Sequence, residues 1–215
     1  RVVADSDCEH CRDGWLTQPV NAASSLAYVA AGAAVLRQAR AERAAPGRAS
    51  ADWAGPYGWA LVAVGVGSVA YHGPGGALAR VAHDATLVAL GAVVALADLE
   101  ALDGPTPPAR VALALVPAAA VLTARPAVSR ATQVAVGAGA VLAEAAVATR
   151  ARGALTGPAG RGRRRPLAAS VWAAGIAAQV LGRTGGPLCR PRSVLQAHAA
   201  WHVLSATGLW LRGAR

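Results

Sequence analysis

The sequence has no phenylalanine and no methionine, and every one of its 21 basic residues is arginine. Charged residues make up only 15% of the 215 positions and aromatics 4%, while hydrophobic residues make up 54%. Soluble domains average about a quarter charged residues, so this shortage of charge weighs against an ordinary water-facing surface. The bias toward Ala, Gly, Val and Arg reads as the imprint of a GC-rich coding sequence, which makes the position of a residue more informative than its type. Mean hydropathy is a modest +0.37 because Ala and Val replace Leu, Ile and Phe. The formal net charge of +10 is spread between apolar runs. It forms no stripe with interleaved aromatics, which argues against a nucleic-acid partner and favours anionic lipid headgroups.

Crossing roughly 30 Å of hydrocarbon takes about 20 mostly apolar residues. Seven such segments fall near 20–38, 57–72, 82–100, 109–124, 131–149, 166–182 and 194–212, after an N-terminal segment 1–19. They are apolar around their whole circumference, where a surface helix would carry a polar face. Turn signals separate them at Gly73–Gly76, Gly104–Pro108 and Gly182–Pro187. The competing reading is an Ala-rich soluble helical bundle. The expected fold is all-α: a polytopic membrane protein in which 1–215 forms one seven-transmembrane helix bundle. The stretch Gly153–Pro166 reads as a flexible basic loop, and Trp15, Trp53, Trp59 and Trp210 read as interfacial aromatics at helix ends.

Arginines accumulate on one side of this arrangement. Arg37, Arg40, Arg43, Arg48, Arg110, Arg150, Arg152, Arg161, Arg163, Arg164, Arg165, Arg212 and Arg215 face Arg1, Arg12, Arg80, Arg125, Arg130, Arg183, Arg190 and Arg192 on the other. The positive-inside rule then puts the N-terminus outside and the C-terminus in the cytoplasm. A bacterial plasma membrane is the expected location.

Ionisable residues inside membrane spans are costly and mark function. Here they agree on depth. Ser68 and His72 lie four apart at the outer end of the second segment, His83 and Asp84 open the third, and His198 and His202 lie four apart at the outer start of the seventh. Four of the five histidines belong to this set. Two histidines at i and i+4 can hold one zinc ion from one helix face, and His72 supplies a third ligand. Three protein ligands leave a fourth position open to water, the pattern of a catalytic zinc site. His83 either replaces His72 as third ligand or faces the headgroups, and the whole set has a plainer reading as histidines hydrogen-bonded across helices. Asp84 is a candidate base or orienting group, and Ser68 a donor to a ligand or to a developing oxyanion. The inner half offers only Gln133, Glu144 and Gln179, too little for a transport path.

Several of these residues resemble the alkaline ceramidases, members of a wider superfamily of seven-helix membrane hydrolases that includes the adiponectin-receptor-like proteins. Ser68-Val-Ala-Tyr-His72 followed by Asp84 is similar to that family's S-x-x-aromatic-H…D signature, and His198-Ala-Ala-Trp-His202 to its H-x-x-W-H. Cys8-Glu9, then Gln18-Pro-Val-Asn21 and Ser24-Ser25, resemble its C-E and W-N-x-x-S-N region. The resemblance touches the first, second, third and seventh segments, and Asp84 comes one residue later than the family spacing. It implies zinc on His72, His198 and His202, with Ser68 and Asp84 nearby. It also implies calcium near the N-terminus, for which Asp7, Glu9 and Asn21 are the matching positions, although Cys11 and Gly14 stand where further oxygen ligands belong.

All three cysteines fall on the outer side, where disulfides persist. The resemblance implies a Cys8–Cys189 bond tying the N-terminal segment over the zinc site. Cys11 stays outside it, or takes the place of Cys8. Cys8-x-x-Cys11 with His10 is alternatively a small metal or redox motif. Together these readings imply a hydrolase that cleaves an amide bond of a ceramide-like membrane lipid with a metal-activated water, embedded in the bilayer and needing no obligatory protein partner. The competing class is a non-enzymatic receptor or sensor whose zinc is structural or binds a ligand.

Overall fold

The computed structural model describes residues 7–44, 53–103, 118–153 and 159–213. Among them the chain is all-helical: α1 (Pro19–Ala44), α2 (Ala54–His72), α3 (Ala77–Asp103), α4 (described over 118–123), α5 (Pro126–Gly153), α6 (Ala159–Leu181) and α7 (Ala197–Gly213). Most of the segment expected near 109–124 lies outside the described residues.

Local chemistry sets the helix ends. Pro19 and Pro126 open α1 and α5, where a missing N–H costs nothing and a fixed φ is already helical. Both carboxylate oxygens of Glu9 accept backbone N–H groups of the first turn of α1, from Val20 at 2.9 Å and Asn21 at 2.8 Å. An acid there also meets the positive end of the helix dipole. At the end of α2, Gly73 N–H donates back to Val69 O at 2.8 Å. Gly75 (φ 69°) and Gly76 (φ 96°) then turn the chain through left-handed conformations that side chains disfavour.

That turn releases the chain into α3 at Ala77, five residues before the expected start. His83 and Asp84 therefore sit in the second turn of α3 rather than opening it. Likewise α6 begins at Ala159, so the C-terminal part of the expected basic loop is helical, with Pro166 inside it. Trp53, expected at a membrane interface, is buried and donates its indole N–H to Glu100.

Neighbouring helices follow the order α6, α7, α1, α2, α3, α5. The core they share contains Tyr28, Val35, Trp53, Tyr57, Leu61, Val64, Leu90, Val93 and Val94. Large apolar side chains such as Leu26, Val66, Val134, Leu142, Val180 and Val203 point outward, while Gln18, Asn21, Ser25, Ser68, His72 and Asp98 are buried. So many large apolar side chains on the outside are what a lipid-facing bundle presents. The helices α1, α3 and α5 are long and apolar enough to cross a membrane, over Pro19–Ala44, Ala77–Glu100 and Pro126–Arg150. These features fit a membrane protein.

Small residues let α1 and α2 approach closely, the usual device where lipid provides no hydrophobic drive between helices. A Cβ added at Gly32 would come within 2.5 Å of Gly58 O and 2.8 Å of Val62 Cγ2, whereas one at Gly139 on α5 meets nothing within 4 Å. Gly32→Leu is therefore expected to destabilise the detergent-solubilised protein by at least about 1–3 kcal/mol, read as a lower Tm. Gly139→Leu should leave Tm unchanged, and equal losses would contradict this packing.

Candidate metal centre

The end of α2 and the start of α7 meet at one end of the bundle, beside the start of α1 and the end of α6. There the structure brings His72, His198 and His202 together. All three are buried, and each offers a ring nitrogen within 4.8 Å of the others. The His72 ring centroid stands 5.0 Å from that of His198 and 5.3 Å from that of His202. Among the described residues this is the one group of three or more His, Cys, Asp or Glu side chains close enough to share a metal ion.

Each Nδ1 is already engaged, and the partners fix the tautomers. Gln18 Nε2 donates to Glu9 O at 3.0 Å, which turns its Oε1 toward His72 Nδ1 at 2.7 Å as an acceptor. Ser24 and Ser25 both donate their hydroxyl protons to Asn21 O, at 3.0 and 2.7 Å. Their oxygens then accept from His202 Nδ1, at 2.9 and 3.3 Å. His198 Nδ1 meets Gln179 Oε1 at 2.6 Å, and the Asp7 carboxylate lies 3.8 Å from the same nitrogen. With every Nδ1 acting as donor, each Nε2 carries the ring's lone pair. The Nε2 atoms of His72 and His198 are buried without a hydrogen-bond partner. Buried polar atoms rarely stay unpaired, and bare imidazole nitrogens are the commonest metal ligands. His72, His198 and His202 could together hold a metal ion.

The other expected site residues fall differently. Ser68 is buried one turn before His72 on the same face of α2. Asp84 does not join the cluster. Its Oδ1 faces His83 Nδ1 at 3.0 Å, and its Oδ2 accepts from Arg80 at 3.1 Å and Ser129 at 2.7 Å. Arg80 in turn holds Thr123 O and Ala124 O, so this network anchors α3 to the α4–α5 turn. His83 lies outside the metal group, its ring 6.1 Å from that of His72 and stacked on Tyr71. Of the three positions matched to calcium, Glu9 caps α1, Asp7 faces His198, and Asn21 Oδ1 is buried without a hydrogen-bond partner.

Gln18, Ser24 and Ser25 belong to the N-terminal resemblance, but nothing in sequence assigned them to ring nitrogens. Gln179 and Gln133 were expected in the inner half, yet both lie at this end. Gln133 bonds Ser129 beside Asp84, and Gln179 is in the last turn of α6. Its closeness to the Gly182 turn was the available signal.

The Cys8–Cys189 disulfide joins the N-terminal segment to the connection between α6 and α7. His10 N–H donates to Pro191 O at 2.8 Å, and Cys8 N–H to Thr184 Oγ1 at 3.2 Å. The segment thus lies across the end of the bundle that carries the histidines. Compared with known protein families, characterised proteins and solved structures, the chain matches none of them.

Residues that orient metal-binding imidazoles are worth about 10–100-fold in metal affinity. Gln18→Ala and Gln179→Ala are each expected to weaken zinc binding by about that factor, measured by competition with a chromophoric chelator. Unchanged affinity in both would remove the orienting role of these amides.

Proposed function

We propose that this protein is a zinc-dependent hydrolase of the bilayer, built as a seven-span bundle and acting on the amide bond of a ceramide-like lipid. The observation that carries the reading is the set of three buried imidazoles whose Nδ1 atoms are all bonded to neighbours and which each bring a ring nitrogen within 4.8 Å of the others. When bound, zinc supplies Lewis-acid polarisation of a carbonyl and activation of water near neutral pH. Three protein ligands match catalytic rather than structural zinc sites, which use four.

The chain's own residues supply the rest. Ser68, one turn from His72, is placed to donate to charge developing on a carbonyl oxygen. Asp84 acts through His83, holding that ring by its Nδ1. The apolar outer face of the helices supports a substrate that arrives from the lipid phase. The resemblance to the alkaline ceramidases supports the amide, and the arginine distribution supports a site on the extracytoplasmic side.

In detergent or in lipid vesicles the purified protein is expected to release fatty acid from a ceramide. Chelation and His202→Ala should each reduce release to background. Ser68→Ala should lower kcat by about 100-fold with zinc content unchanged. Release that survives both chelation and His202→Ala, or stoichiometric zinc with no turnover of lipid amides or esters, would contradict the reading.

A further inference from the structure

The outer end of the molecule holds a second chemically distinct feature: a thiol, a disulfide and a support of the metal site in one cavity. A pocket of about 370 Å³ is lined by Cys8, Glu9, His10, Cys11, Gln18 and Thr184, with Pro191. Cys8 is bonded to Cys189, and Cys11 is an exposed thiol three residues along the chain. Gln18 Nε2 contacts Cys11 Sγ at 3.9 Å, and the Oε1 of the same amide holds His72 Nδ1 at 2.7 Å. Cys8 adopts a φ of 63°, an uncommon and strained conformation for a residue bearing a side chain.

We propose that Cys11 exchanges with the Cys8–Cys189 disulfide, and that this exchange controls the hold on His72. The Cys11 thiolate attacks Cys8 Sγ. A Cys8–Cys11 bond forms as the Cys8–Cys189 bond breaks, and Cys189 leaves as a thiolate that takes up the proton Cys11 gave up. One disulfide and one thiol exist before and after, so no oxidant or reductant is consumed. C-x-x-C pairs are a spacing that supports such chemistry.

The exchange removes the only covalent tie between the N-terminal segment and the α6–α7 connection among the described residues. The hydrogen bonds of His10 to Pro191 and of Cys8 to Thr184 are among the contacts that then hold that seam. The exchange also draws the Cys11 sulfur from Gln18, the residue that orients His72. Asp7, next to Cys8, moves with the segment that sets its distance to His198. The exchange stands on the thiol and disulfide alone; only its consequence rests on reading the triad as a metal site.

Disulfide mapping tests the exchange without reference to zinc. The intact protein is incubated in mildly alkaline buffer, denatured in N-ethylmaleimide and digested without reduction. Part of the wild type should carry a Cys8–Cys11 bond with the label on Cys189, and Cys11→Ser should show neither. Label found only on Cys11 at every time point would overturn the exchange. For the consequence, Cys189→Ser, left with Cys8 and Cys11 as its pair, should lose bound zinc to EDTA about tenfold faster than Cys11→Ser. Equal rates would overturn the link to His72. If Cys189→Ser does not fold, zinc loss in the wild type must rise with the exchanged fraction, and independence of the two would give the same negative answer.

Discussion

Three buried imidazoles that donate through Nδ1 and bring a ring nitrogen each within 4.8 Å of the others leave Nε2 lone pairs in need of a partner. An unpaired buried acceptor costs about 1–3 kcal/mol, and here two of them belong to one cluster with His202. A shared cation satisfies this demand without adding bulk. Much of the histidine end of the bundle serves the same constraint from behind. The amide of Gln18 is turned by Glu9 O, the hydroxyls of Ser24 and Ser25 by Asn21 O, and Gln179 comes from the far end of α6. The imidazoles are thereby committed to one tautomer and one direction.

The opposite end of the bundle is held by charge. Arg212 at the foot of α7 bonds Asp98 on α3 at 2.5 Å and Glu144 on α5 at 2.8 Å, and lies over the Tyr57 ring of α2. Arg165 on α6 approaches the other oxygen of Glu144 at 3.6 Å. Between the two polar ends the core is apolar and tightly packed, with Leu61 and Val64 fully buried. The Tyr28 hydroxyl bonds Ser205 one turn below His202. Since α7 carries two of the three histidines, the charged cluster at its foot and the hydrogen bonds at its head set its register together.

Helical class and the convergence of His72, His198 and His202 were legible because both follow from spacing. Apolar runs of the right length imply helices, alternating direction equalises depth, and i, i+4 pairs share a face. Helix starts were less legible. The left-handed pair Gly75–Gly76 lets α3 begin earlier than its first long apolar run, and this moves His83 and Asp84 inward. Partnerships between helices were not legible at all. Asp84 is drawn to Arg80 and Ser129 because α4 and α5 arrive beside α3, and Gln179 reaches His198 because α6 ends where α7 starts. Neither neighbour relation is written in local sequence. The Cys8–Cys189 bond was implied by resemblance rather than by spacing, and the structure contains it.

The most direct measurement is X-ray absorption at the zinc edge on the purified wild-type protein, paired with its metal stoichiometry. One zinc per chain should show three nitrogen neighbours at about 2.0–2.1 Å in a four-coordinate first shell, with the outer-shell scattering of three imidazoles. A metal-free protein that takes up no zinc, or a first shell dominated by sulfur or by carboxylate oxygen, would contradict a centre built from His72, His198 and His202.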